Sequence, residues 1–284
     1  MSVWPHVASV MCVGALPPMA PLPPSSLAEH VANIDAIRQR YPRQTSSACG
    51  AQCGEQCSGR EMEDVKAPGA CSLSRLVAVH TEISRMAERY TDGKPVPQYG
   101  DRKQHLRYFR RALRIHKVKL ACEVGFNAGH GAALWLDGTD VERLMSFDLP
   151  MITYTPHAVG ARQLANATFP GRVVFHDGDS IPTLHAYAAD VKAGKALPCD
   201  LWYIDGQHQG KWPHLDLEHA IAASHNGTLL IMDDCTAKWP AVVSGWVKAL
   251  AAGHEIQPVP RESVVLPNKL GYNRTGWCAG MYVK

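Results

Sequence analysis

From residue 118 onward the chain alternates between short apolar runs and longer segments whose apolar residues return every three or four positions. The runs are 118-VKLACEV-124, 142-ERLMSFDL-149, 172-RVVFHD-177, 200-DLWYID-205 and 227-GTLLIMDD-234. Each is short, apolar and closed by an acid or a glycine turn, the pattern of a buried strand. The intervening segments predict helices over 129–136, 156–168, 180–194, 211–224 and 239–252. Strands that alternate with helices of this length form βαβ units and a parallel sheet covered on both faces. Right-handed crossovers make that sheet doubly wound. The end of the chain differs. Segments 254-HEIQPVP-260 and 276-GWCAGMYVK-284 are strand-like, and the Pro, Asn and Gly residues between them leave no room for a helix. The predicted fold is therefore α/β, a doubly wound, mostly parallel seven-stranded sheet with an antiparallel last strand.

Upstream, helices are expected over 27–41, 73–91 and 101–116. The stretch 102-RKQHLRYFRRALRIHKVK-119 is basic, but Leu106, Phe109, Leu113 and Ile115 give it an apolar stripe, so its charges read as a solvated helix face. Pro- and Ala-rich residues 1–26 and polar residues 42–70 read as a largely flexible extension over 1–70. The globular domain is expected over 71–284. Within the extension, Cys49, Cys53 and Cys57 have neither the tight pairs nor the fourth ligand of a usual metal site.

Composition narrows the function classes. A net charge of +3 is too mild to argue for nucleic acid. No apolar run approaches the ~18 residues of a membrane span. The N-terminus lacks the basic segment of a secretory signal, so a cytoplasmic protein is expected. With 9 cysteines in a long chain, Cys122, Cys199 and Cys235 are expected as free, buried thiols in a reducing compartment.

The first strand of the alternating region runs into 121-ACEVGFNAGHGAALWL-136. Gly125, Gly129 and Gly131 shape a turn where backbone and ligand can approach closely. The spacing is G-x-x-x-G-x-G, neither the dinucleotide fingerprint nor a P-loop. Glu123 at the strand end would repel a pyrophosphate, which argues against a nicotinamide oxidoreductase. The second strand ends in Asp148, placed to accept from a ribose diol. The third runs into 178-GDS-180. Acids at the ends of three successive strands point to an adenosyl ligand without phosphates.

On these residues the sequence resembles the class I S-adenosylmethionine-dependent methyltransferases, over roughly 71–284. The resemblance implies a Rossmann-like fold and S-adenosylmethionine as cofactor. Glu123, Gly125, Asn127 and Gly129 would face its methionine part, Asp148 its ribose, and Asp179 and Ser180 its adenine side.

The fourth and fifth strands end in Asp205 and in Asp233-Asp234. Neighbouring strands lie about 4.8 Å apart, so three carboxylates would share one rim, an arrangement that a hard divalent cation offsets. Each acid also has an ordinary reading: Asp234 as a helix cap near 238, Asp205 as a turn residue with Gly206. The D-G-x-H and D-D pattern resembles the metal-dependent small-molecule O-methyltransferases that act on macrolide and aminocoumarin sugars. That resemblance implies Asp205, Asp233 and Asp234 as ligands of Mg²⁺, a small-molecule acceptor, and Asp205 in a catalytic role. Where such relatives often carry a second acid two residues after the first Asp, this chain has Gln207, which takes no proton. His208 is then the candidate base. A homo-oligomer is compatible with the sequence, and no acceptor code is readable in it.

Overall fold

The computed structural model describes residues 21–41, 70–90, 103–149, 157–258, 264–267 and 274–283. Cys49, Cys53 and Cys57, and the extreme N-terminus, lie outside these residues. Three helices lead in: α1 (Pro24–Arg40), α2 (Ala70–Glu88) and α3 (Lys103–Ile115). The alternating core follows as β1 (Leu120–Val124), α4 (His130–Leu136), β2 (Arg143–Asp148), α5 (Ala158–Thr168), β3 (Val173–Asp177), α6 (Ser180–Lys192), β4 (Cys199–Ile204), α7 (Trp212–Ala222), β5 (Ser224–Asp233) and α8 (Pro240–Ala251). The chain closes with β6 (Ile256–Pro258), β7 (Val264–Pro267) and β8 (Arg274–Tyr282).

The strands form one sheet in the order β3-β2-β1-β4-β5-β8-β6, with β7 also paired to β8. Strands β1 to β5 are parallel, and β8 runs antiparallel to β5, β6 and β7. This is the doubly wound sheet with an antiparallel last strand that the periodicity predicts. It carries one strand more, because Val264–Pro267 pairs with Trp277–Arg274 where a loop was expected. Strand order reverses between β1 and β4, and such a switch point opens a crevice at the carboxyl ends of the strands.

Alternation divides the core between two layers. Ala121, Leu201, Tyr203, Leu229 and Ile231 face α1 to α5, whereas Cys122, Val124, Trp202, Ile204, Leu230 and Met232 face α6 to α8. The N-terminal helices belong to the first layer. Ile34 of α1, Leu76, Val79 and Met86 of α2, and Leu106 and Phe109 of α3 are all buried there. Ile115, expected on the apolar stripe of α3, is instead 48% exposed, and Ala112 takes its share of the buried face.

A buried acid fixes these helices to the sheet. Asp137, just past α4, accepts from Arg75 Nε at 2.6 Å and Nη2 at 2.8 Å, and from Arg38 Nε at 3.0 Å. Arg110 Nη2 donates to its backbone carbonyl. Burial pushes the Asp137 carboxyl up, but the bonds and charges of Arg75 and Arg38 hold it below its ordinary value.

The free thiols expected of Cys122, Cys199 and Cys235 are not what the fold contains. Cys122 is bonded to Cys199 and Cys235 to Cys278. Cys122 and Cys199 sit on the adjacent strands β1 and β4 and face the same layer. Cys235 follows β5 where it pairs with β8. The partners stand 77 and 43 residues apart in sequence, so only the strand order brings them together. Among the described residues, no helix is long and apolar enough to cross a membrane.

Candidate active site

Every acid singled out in the sequence lies at or near the carboxyl end of β1 to β5, but they fall into different environments. Glu123 is 1% exposed and its carboxylate is turned inward. Its Oε1 accepts from Ser146 Oγ at 2.9 Å and its Oε2 from Trp135 Nε1 at 3.1 Å. Burial pushes the group up to about 8, against the pull of those two bonds. Glu123 thus bears on the glycine loop from beneath, as the anchor between β1, β2 and α4.

Above it the loop is held by backbone contacts. Gly125 has φ +95°, and a Cβ there would lie 2.3 Å from the Asp205 carbonyl oxygen. Only glycine allows the β1 and β4 turns to meet so closely. Gly125 N–H donates to Phe147 O at 2.9 Å, and Gly129 occupies the position before α4 in the left-handed conformation. Asn127, also left-handed at φ +49°, accepts at Oδ1 from His157 Nε2 at 2.7 Å.

Asp148 sits beside this loop. Its Oδ2 accepts from Phe126 N–H at 3.3 Å and its Oδ1 from Leu149 N–H at 2.8 Å. Burial raises its pKa and these backbone donors oppose the rise. Asp179 caps α6, accepting from Ile181 N–H at 2.9 Å, and the same Oδ1 lies 3.3 Å from Trp212 Nε1. Ser180 Oγ donates to the buried Asp216 at 2.6 Å.

The ends of β4 and β5 come together as the sequence implies. His208 Nε2 lies 3.2 Å from Asp205 Oδ1 and 4.0 Å from Asp234 Oδ2. The ring leans on Trp239, centroids 4.9 Å apart. Burial pushes the His208 pKa down, but the hydrogen bond and charge of Asp205, with the charges of Asp234 and Asp233, outweigh it and leave the pKa raised. Asp233 is buried. Its Oδ2 accepts from Tyr203 OH at 2.6 Å, and its Oδ1 has no hydrogen-bond partner. Burial first, then the charges of Asp205 and Asp234, push Asp233 up to about 7. Asp234 has φ +51°, an unusual conformation for a residue with a side chain. It caps no helix, because Trp239 holds the cap position of α8. Among the described residues, no group of three or more His, Cys, Asp or Glu is arranged to hold a metal ion.

Residues 122–235 match the family profile described as a methyltransferase domain. Over these residues the sequence is similar to methyltransferase domains. No curated protein matches the sequence. The fold is similar to several solved structures. The O-methyltransferase TomG of Streptomyces achromogenes, involved in tomaymycin synthesis and solved with S-adenosylmethionine, shares 17% identity over 71% of this chain and 89% of its own, with TM-score 0.53. The Podospora anserina methyltransferase PaMTH1, bound to S-adenosylhomocysteine, shares 14% over 80% and 98%, with TM-score 0.52. An O-methyltransferase of Bacillus cereus with the same ligand shares 17% over 78% and 94%, with TM-score 0.51.

The residues that the sequence reading missed are those that act through space. Tyr203 is one position past Trp202, and alternation puts it on the face of Asp233 rather than of α7. Its place two residues before Asp205 was the available signal. Asp216 gave none, since a buried acid on a helix looks like any solvated one.

Proposed function

We propose that this chain transfers the methyl group of S-adenosylmethionine to a hydroxyl oxygen of a small-molecule acceptor. The single observation that carries the reading is His208, held between the carboxylates of Asp205 and Asp234 where the β1 and β4 turns meet. The chain's own chemistry suits the cofactor. The rim is lined by Asp148, Asp179 and Asp205, which suits a sulfonium and a ribose diol and would repel phosphate. The left-handed Gly125 and Asn127 keep the backbone close to any ligand over β1.

When bound, S-adenosylmethionine supplies an electrophilic methyl group. Around it, Asp148 would orient the ribose, Asp179 and Ser180 would border the adenine side, and the glycine loop with Asn127 would enclose the methionine part, with Glu123 fixing that loop from below. Such groups act mainly by alignment and exclusion of water. His208 would take the acceptor's hydroxyl proton, and Asp205 would orient the imidazole and stabilise its charged form. Gln207 fixes no proton, so the base falls to His208.

A second reading, with a divalent metal, rests on Asp233 Oδ1, a buried carboxylate oxygen without a partner. Asp205, Asp233 and Asp234 are hard oxygen donors of the kind Mg²⁺ takes. A cation held by them would lower the pKa of an acceptor hydroxyl.

Calorimetry with S-adenosylhomocysteine is the first test. Binding by folded protein is expected, and its absence sinks the reading. Labelled methyl transfer to a panel of hydroxylated small molecules then tests the acceptor class, with loss of transfer expected in His208→Ala. If transfer is untouched by EDTA and by Asp233→Ala, the metal reading fails and the metal-free one stands.

A further inference from the structure

Asp216 is an acid that the proposed chemistry does not use. It lies on the second turn of α7 with no exposed surface. Its Oδ1 accepts from Ser180 Oγ at 2.6 Å, and its Oδ2 is buried with no hydrogen-bond partner. That carboxyl lies beneath the turn after β4. A Cβ on Gly206 would come within 3.3 Å of Asp216 Oδ2 and 2.9 Å of Val124 Cγ1, so the Asp205–Gly206 peptide rests directly on this acid. The Asp205 carbonyl of the same turn lies against Gly125. One turn earlier on the same face of α7, Trp212 Nε1 lies 3.3 Å from Asp179 Oδ1. Two polar contacts therefore join the start of α6 to the first two turns of α7, and the turn that carries Asp205 and His208 is seated on one of them.

We propose that Asp216 is a positioning residue: with Trp212 it clamps the 205–210 turn to the Asp179–Ser180 end of α6, so that a ligand on the cofactor side orders the turn that carries His208. The inference rests on the cofactor-site reading above. Burial pushes the Asp216 carboxyl up to about 7, so a neutral acid stands there at mildly acid pH and asparagine is its closest mimic. A two-state turn whose order depends on this bond couples the two sites without any ligand touching Asp216.

Hydrogen exchange of the full-length protein, with S-adenosylhomocysteine as the probe, tests it. In wild type the ligand is expected to slow exchange of amides 205–211 by about tenfold or more, the scale of a local opening that has been stabilised. Asp216→Ala should still bind the ligand but lose most of that protection, and Asp216→Asn should keep it. Ser180→Ala should reproduce the loss, and the double variant should lose no more than Asp216→Ala alone, since both remove one bond. If Asp216→Ala does not fold, Ser180→Ala and Asp216→Asn carry the same comparison. Protection in either alanine variant equal to wild type, or an asparagine variant as impaired as alanine, overturns the clamp. A wild type that binds no S-adenosylhomocysteine overturns the cofactor reading instead.

Discussion

The molecule holds two kinds of acid cluster around its sheet, and they are used in opposite ways. Glu123 and Asp137 have both carboxylate oxygens engaged by fixed donors of the protein itself. At the rim of β4 and β5, Asp205, Asp233 and Asp234 crowd one another, with Asp233 Oδ1 buried and unpartnered and Asp234 in a left-handed backbone conformation. The first kind holds elements together. The second stores unfavourable charge and strain where a ligand can relieve it. Their difference teaches that burial alone does not mark a functional carboxylate; what sets the second group apart is several carboxylates facing one another at the carboxyl rim of the sheet.

The comparison breaks most visibly at Asp137. Asp137→Ala leaves Arg75 and Arg38 without their buried partner and is expected to cost about 3–5 kcal/mol of stability. Chemical denaturation measures this, and a loss below about 1 kcal/mol would mean that the arginines find water instead. Next in size is the cofactor side. Asp148→Ala is expected to weaken S-adenosylhomocysteine by about 1.5–3 kcal/mol, the range for hydrogen bonds to a charged group, with melting temperature nearly unchanged. An unaltered dissociation constant would remove Asp148 from the site.

Glu123 gives a pH signature. Its pKa is raised in the folded state, from 4.5 to about 8. The folded protein therefore binds the extra proton across that window. The stabilisation is complete below the unfolded value and is lost as pH rises through about 8. Wild type should lose stability more steeply than Glu123→Gln between pH 5 and pH 8, by at most about 1.4 kcal/mol per pH unit. Parallel curves would show that Glu123 is ionised in the fold. The smallest effect is the most discriminating. Asp234→Gly relieves a positive φ and should stabilise by about 0.5–1 kcal/mol while lowering methyl transfer. A variant that is more stable and equally active would place Asp234 among the structural residues.

Much of this was legible locally. Periods of two and of three to four residues in 118–252 carried the strands and helices, and acids at five strand ends marked one rim once the sheet was parallel. The glycine spacing at 125–131 argued against a dinucleotide. Other features had no local trace. Ile115, expected on the helical stripe, is exposed, because two residues past Leu113 it stands on the far side of the helix from the buried face. Val264–Pro267 is a strand only because β8 offers it a free edge beside β6.

By itself, then, the sequence determined the order of elements, the doubly wound class, and the residue types at each strand end, because these follow from periodicities within a few residues. Only the tertiary structure decided which acids are satisfied and which are not. It joined Cys122 to Cys199 and Cys235 to Cys278, turned Glu123 inward onto Trp135 and Ser146, hung Tyr203 on Asp233, and set Asp216 under Gly206. The physical reason is that hydrogen-bond satisfaction and desolvation are properties of a residue's neighbours in space, and here those neighbours come from strands and helices far apart along the chain.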